Sequence, residues 1–200
     1  MTMKTETLDY SNGETISRGY LATPDKPGKR PGVIVCHEAP GLNDHPKLRT
    51  RMLAELGYVA LAVDMYGGGK VGVGEEAGRL MAEVRADPAR VRRRARAALD
   101  ALAAQPTVDT GKLAAIGYCF GGFTALELAR TGAPLVGVVS FHGILTPTAA
   151  AAPGSVKAKL LICAGSADPL VPPSQVLGFQ DEMTGAGVDW QVITYAGAKH

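Results

Sequence analysis

The stretch Leu113-Ala-Ala-Ile-Gly-Tyr-Cys119-Phe-Gly-Gly122 runs from an apolar segment into a glycine turn, and a helical pattern follows from Gly122 to Arg130. An apolar run without polar alternation is the pattern of a strand buried on both faces, as in a parallel sheet. At its end stands Gly-x-Cys-x-Gly, with Gly117 and Gly121 two residues to either side of Cys119. A nucleophile on a sharp strand-to-helix turn is held in a strained backbone conformation, and only small residues at those two places let the chain fold back on itself. The turn also sets Cys119 at a helix N-terminus, where free N–H groups and the helix dipole favour a thiolate and a developing oxyanion. The competing reading is a core cysteine beside a glycine turn. No Gly-x-Ser-x-Gly occurs elsewhere in the chain.

Working outward, similar apolar runs recur at Gly32 to Cys36, Tyr58 to Val63, Leu135 to Phe141, Leu160 to Cys163 and Trp190 to Tyr195. Helical patterns separate most of them: His45 to Leu56, Glu75 to Arg85, Pro88 to Ala104 and Pro173 to Gly185. Alternation of strand and helix implies right-handed crossovers and a mostly parallel sheet with helices on both faces. Ahead of it, Lys4 to Tyr10 and Glu14 to Ala22 alternate in polarity around Asn12-Gly13, which predicts an N-terminal antiparallel hairpin with a tight turn. The expected class is therefore α/β, with ligands at the carboxyl ends of the parallel strands. Neither an internal repeat nor a second domain is visible.

Composition narrows the function. Hydrophobic residues make up 46% and charged residues 20%, which is globular rather than disordered, and a formal charge of +2 creates no field that favours nucleic acid or an anionic membrane. A small molecule is the expected partner. The cysteines Cys36, Cys119 and Cys163 are odd in number and far apart, so neither disulfides nor a zinc or redox Cys-x-x-Cys pair is expected. The N-terminus has no apolar core of signal-peptide length, and a reducing cytoplasm is the expected setting. The uncharged stretch Thr131 to Val156 is broken by Pro134, Pro147 and Pro153 and reads as strand and loop rather than a membrane span. No metal or cofactor is called for.

A nucleophile at Cys119 requires an acid after a later strand and then a histidine. Asp168 follows the run ending at Cys163, in Gly-Ser-Ala-Asp168-Pro-Leu-Val-Pro, although aspartate also caps turns. His200 is the only histidine after it; His142 ends an earlier strand and is the alternative base. Glu38 lies in Cys36-His-Glu-Ala-Pro-Gly-Leu-Asn43 at the end of a buried strand, either as a site carboxylate or as a surface glutamate. That loop and the elbow would supply the oxyanion donors, the N–H groups of Ala39 and Phe120. Cys36 and Cys163 end apolar runs without an elbow and read as small core residues. Gly67-Gly-Gly-Lys-Val-Gly72 formally matches a dinucleotide fingerprint with Asp87 beyond it, but Asp87 precedes Pro88 as a helix cap would, so a flexible loop over the site is expected instead. The arginines from Arg90 to Arg96 share a helix with an apolar face and read as a solvated face.

Hairpin, parallel sheet, the Gly-Tyr-Cys-Phe-Gly-Gly elbow, Glu38 in Glu-Ala-Pro-Gly, then Asp168 and His200 together resemble the dienelactone hydrolase family of α/β-hydrolases over nearly the whole chain. The resemblance implies Cys119 as nucleophile, His200 as base, Asp168 as its orienting acid and Glu38 as the carboxylate that helps to ionise the thiol. It implies a hydrolase of a small carboxylic ester or lactone acting through a thiolester acyl-enzyme. Two departures qualify this. Family members that cleave dienelactone have an arginine in a segment like Asp-Leu-Tyr-Ala-Arg, where this chain has Asp64-Met-Tyr-Gly-Gly68, so dienelactone is not the expected substrate unless Lys70 or Arg79 substitutes. The family also continues past the base with a loop, another arginine and a helix, so residues 1–200 are expected to be one α/β-hydrolase domain cut short after His200. The rival functions are a non-catalytic binding module of the same fold and a redox-responsive thiol protein.

Overall fold

The computed structural model of the protein describes residues 2–200. Its strands are β1 (Met3–Ser11), β2 (Ile16–Pro24), β3 (Arg30–Cys36), β4 (Val59–Ala62), β5 (Val108–Tyr118), β6 (Gly137–Phe141), β7 (Lys159–Gly165) and β8 (Trp190–Tyr195). Its helices are α1 (Asp44–Glu55), α2 (Glu75–Arg85), α3 (Pro88–Ala103), α4 (Phe120–Arg130) and α5 (Pro173–Gly185). The strands form one sheet in the order β1-β2-β4-β3-β5-β6-β7-β8. Strands β1 and β2 are antiparallel to each other, and β2 to β4; every pairing from β4 onward is parallel. This is the α/β-hydrolase fold, and no described helix is long and apolar enough to cross a membrane.

The hairpin turn is longer than expected. Ser11 pairs with Ile16, so Asn12 to Thr15 make the turn. Asn12 accepts the N–H groups of both Glu14 and Thr15 at 3.0 Å and donates to Ser17 Oγ, while Gly13 takes the positive φ of 87°. A buried asparagine thus closes a wider loop from inside.

Along β3 and β4 the two faces separate by alternation. Ile34 and Leu61 join the larger core with α3 and α4, whereas Val35 and Ala62 pack with Leu42 and Leu53 in a smaller cluster under α1. Every residue of α4 is buried, which fixes the elbow at its N-terminus within a rigid centre. Over β5 to β7, Ala115, Val138 and Leu160 are buried on the α4 side, and Ala114, Val139 and Leu161 opposite are half-exposed.

Two further expectations need correction. The arginines of α3 are not merely a solvated face. Arg94 is 8% exposed, donates to Met65 O at 2.7 Å and, with Arg90 and Arg93, grips Glu14 of the hairpin turn; Arg92 reaches the buried Glu127 of α4. One carboxylate at the hairpin collects three guanidinium groups because the turn delivers it to that helix face. The Gly67 to Gly72 segment, in turn, is not a free flap. The Asp64 carboxylate accepts the N–H groups of Tyr66, Gly67 and Gly69 as well as that of Arg18, all within 3.1 Å. A protein carboxylate takes the donors that a phosphate would need, and Asp87 caps α3 at Ala89 N as expected.

Candidate active site

Cys119 adopts φ 52° and ψ −115°, a conformation that residues with a Cβ rarely hold and that persists only where the surroundings over-determine it. They do so here. A Cβ on Gly117 would stand 2.0 Å from Gly121 O, and one on Gly121 would stand 2.0 Å from Cys36 O. The two glycines therefore permit the crossing of the elbow against α4 and β3. Cys119 N donates to Phe141 O at 3.0 Å, which ties the turn to β6.

The thiol is half-buried. Burial raises its pKa above the ordinary thiol range, and the charges of Glu38 and Asp168 push the same way, against hydrogen bonds from the N–H groups of Phe120 and Ala39. The resting group is a protonated thiol at neutral pH. Cys36 lies beneath the elbow, fully buried, its thiol pushed up to about 12 by desolvation. Cys163 is only half-buried.

Asp168 and His200 come together. His200 Nδ1 lies 2.9 Å from Asp168 Oδ2, and the other carboxylate oxygen accepts Leu170 N at 2.8 Å. Burial alone would raise the Asp168 pKa, but the Leu170 N–H, His200 and the Val171 N–H outweigh it and hold the carboxyl below the ordinary aspartate value. An ionised acceptor at Nδ1 fixes the ring so that Nε2 faces the site. The Cys119 sulfur and one nitrogen from each of His200 and His142 lie within 4.8 Å of one another.

Glu38 is not a free surface group. Its Oε2 lies 3.1 Å from His45 Nδ1, and Arg49 Nε donates to His45 Nε2 at 3.1 Å. Arginine can only donate, so His45 Nε2 must accept and Nδ1 must carry the hydrogen given to Glu38. Both residues also clamp the elbow tyrosine: His45 meets the Tyr118 ring edge-on at 5.0 Å and the Arg49 guanidinium lies 5.7 Å from its centroid. Asn43 starts this helix by capping His45 N, which aims the first turn at the site.

The loop carrying Glu38 and Ala39 is braced from behind. His37 Nδ1 donates to Glu38 O at 2.6 Å while its Nε2 accepts Met65 N, and burial pushes its pKa down, so the ring is a neutral strut rather than a base. Tyr66 OH donates to Ala39 O at 2.6 Å, and Gly72 N donates to Pro40 O at 3.0 Å. The glycine-rich segment therefore supports the loop of Glu38 to Pro40. Of the two cations considered for the missing arginine, Arg79 is spent on Glu76 and Glu83 at the surface of α2, and Lys70 is exposed. Gly68 sits with φ 67°.

His45, Arg49, Tyr66 and Asp64 have structural parts that the linear reading missed. The signals were present but local: a histidine and an arginine four apart in the first turns of a helix that follows the Glu38 loop, and an aspartate at a strand end ahead of three glycines.

Comparisons with known proteins agree with this geometry. A family model described as "Dienelactone hydrolase family" matches residues 17–200. A Bradyrhizobium protein named "Probable 2-oxo-3-(5-oxofuran-2-ylidene)propanoate lactonase" is 30% identical, over 99% of this chain and 86% of its own length. A Synechocystis relative, provisionally a carboxymethylenebutenolidase, is 28% identical over the same shares of the two chains, 99% and 86%. Among solved structures, a dienelactone hydrolase-like promiscuous phosphotriesterase from metagenomic libraries is 47% identical with a TM-score of 0.96, covering 100% of this chain and 84% of that one.

Proposed function

The chain belongs to the dienelactone hydrolase family, and from that premise we propose that it hydrolyses a small carboxylic ester or lactone through Cys119 and a thiolester acyl-enzyme. The observation that carries this reading is the strained elbow at Cys119, with its sulfur within 4.8 Å of a nitrogen of His200, the ring that Asp168 holds through Nδ1.

In the proposed cycle the substrate carbonyl oxygen enters the space between the N–H groups of Ala39 and Phe120. As the thiol is displaced from those donors it passes its proton to Glu38, and the thiolate attacks the carbonyl carbon. The N–H groups then hold the oxyanion, an interaction that removal of one donor typically weakens by about 10²–10³ in rate. His200, held by Asp168, relays the proton from Glu38 to the leaving oxygen, next takes a proton from water so that the hydroxide cleaves the thiolester, and returns that proton to the departing sulfur, which restores the thiol. Every one of these steps uses groups of this chain alone.

Gly68 and the surface pairing of Arg79 favour an acyl group without a carboxylate. The 47% identical relative is described as a promiscuous phosphotriesterase, and the same donors suit a phosphoryl oxygen, so aryl phosphotriesters belong beside esters as candidate substrates. The test is a panel of neutral lactones, carboxylate-bearing lactones, aryl esters and aryl phosphotriesters, run on the protein and on Cys119→Ala. Turnover of neutral lactones or esters that disappears in the variant supports the reading. No turnover of any of them, with the thiol oxidised readily by peroxide, favours the redox-responsive alternative.

A further inference from the structure

Beside Cys119 and His200 stands a third donor that the proposed cycle leaves idle. His142 follows β6 with its backbone in the left-handed region, φ 41°, and its ring meets that of His200 edge-on at 4.6 Å. Its Nδ1 is buried without a hydrogen-bond partner. The sulfur and one nitrogen from each ring lie within 4.8 Å of one another. One thiol and two imidazoles form a borderline-soft set of the kind that selects zinc over magnesium or calcium.

The surroundings favour a dication there. His200 is backed through Nδ1 by the Asp168 carboxylate, the arrangement that orients zinc-bound imidazoles and leaves Nε2 for the metal. In a tetrahedral site the sulfur and nitrogen ligands stand about 3.5 Å apart, a closure from the present spacing that side-chain rotation supplies.

We propose that Cys119, His142 and His200 form a three-ligand site for zinc that reversibly blocks the thiol. On binding, the S–H bond of Cys119 breaks and its proton goes to solvent. The sulfur electron pair forms the S–Zn bond, each imidazole gives one lone pair, and a water keeps the fourth place. Nothing is oxidised or reduced. The inference needs only these three donors and holds whether or not Cys119 is the nucleophile.

The test uses tag-free, metal-stripped protein and reads binding directly. Zinc is titrated in competition with a chromophoric chelator, and cobalt(II) serves as the spectroscopic stand-in. The expected result is one ion per chain, a thiolate-to-cobalt charge-transfer band, and protection of Cys119 from iodoacetamide that EDTA reverses. Cys119→Ser should abolish the band, and His142→Asn should weaken zinc binding at least about tenfold. Asparagine is chosen because it tolerates the left-handed backbone at position 142. Undiminished zinc affinity in His142→Asn would overturn the proposal, and so would bound zinc that leaves Cys119 open to alkylation in the unaltered protein.

Discussion

Glu38 Oε2 lies 3.1 Å from His45 Nδ1, so the carboxylate whose charge bears on the Cys119 sulfur is held by the first turn of α1. The hold has a direction. Because Arg49 donates to His45 Nε2, the ring can give a hydrogen to Glu38 only through Nδ1. A positioned anion next to a thiol raises the cost of ionising it at rest and offers a proton acceptor once substrate rearranges the contact.

Glu38→Gln removes the anion and keeps the shape. Hydrolysis is expected to fall about a hundredfold or more, the scale of a lost proton acceptor. Resting alkylation of Cys119 by iodoacetamide moves the opposite way. Because the Glu38 charge raises the thiol pKa, its loss shifts the alkylation profile to lower pH and makes the reaction at neutral pH equal or faster. Slower alkylation with unchanged hydrolysis would contradict this role.

The hold on Glu38 is separable from the carboxylate itself. In His45→Asn the amide nitrogen stands near the position of Nδ1 and can still donate, whereas His45→Leu fills the space without a donor. The leucine variant is expected to lose about tenfold in hydrolysis, the size of one hydrogen bond to a charged group. The asparagine variant should recover most of that loss. Equal loss in both would show that the ring packs against Tyr118 and does nothing more.

Stability rests on a buried charge cluster away from the site. Glu127 has no exposed side-chain surface and receives Arg92, Arg130 and Thr148, while Arg130 also binds Glu182 of α5. Glu127→Ala leaves buried guanidinium charge short of a partner and should cost about 3 kcal/mol. Chemical denaturation would measure it, and a melting temperature lower by about 6–12 °C would accompany it. A loss below about 1 kcal/mol would mean that Glu182 alone satisfies Arg130.

The parts of the molecule that were legible in the sequence are those governed by period and backbone permission. The apolar runs of β3 and β5 and the glycines at 117 and 121 state their conformations locally, and chain order sufficed to single out Asp168 and His200, which the structure brings together. Contacts across the fold were not legible. Arg94 meets Glu14 from 80 positions away, so its burial depends on where the hairpin turn lands on α3 rather than on the helix pattern. The His45 contact with Glu38 likewise depends on how the β3 loop turns into α1.

The account rests on Cys119 carrying the acyl group. Rapid acid quenching during turnover of an activated aryl ester, followed by intact-mass measurement and peptide mapping, tests that directly. The expected result is a single acyl addition located on Cys119 in the unaltered protein, longer-lived in His200→Ala and absent in Cys119→Ala, with Cys36→Ala and Cys163→Ala behaving as the unaltered chain. Sustained ester turnover by Cys119→Ala, or an acyl group mapped to any other residue, would contradict it.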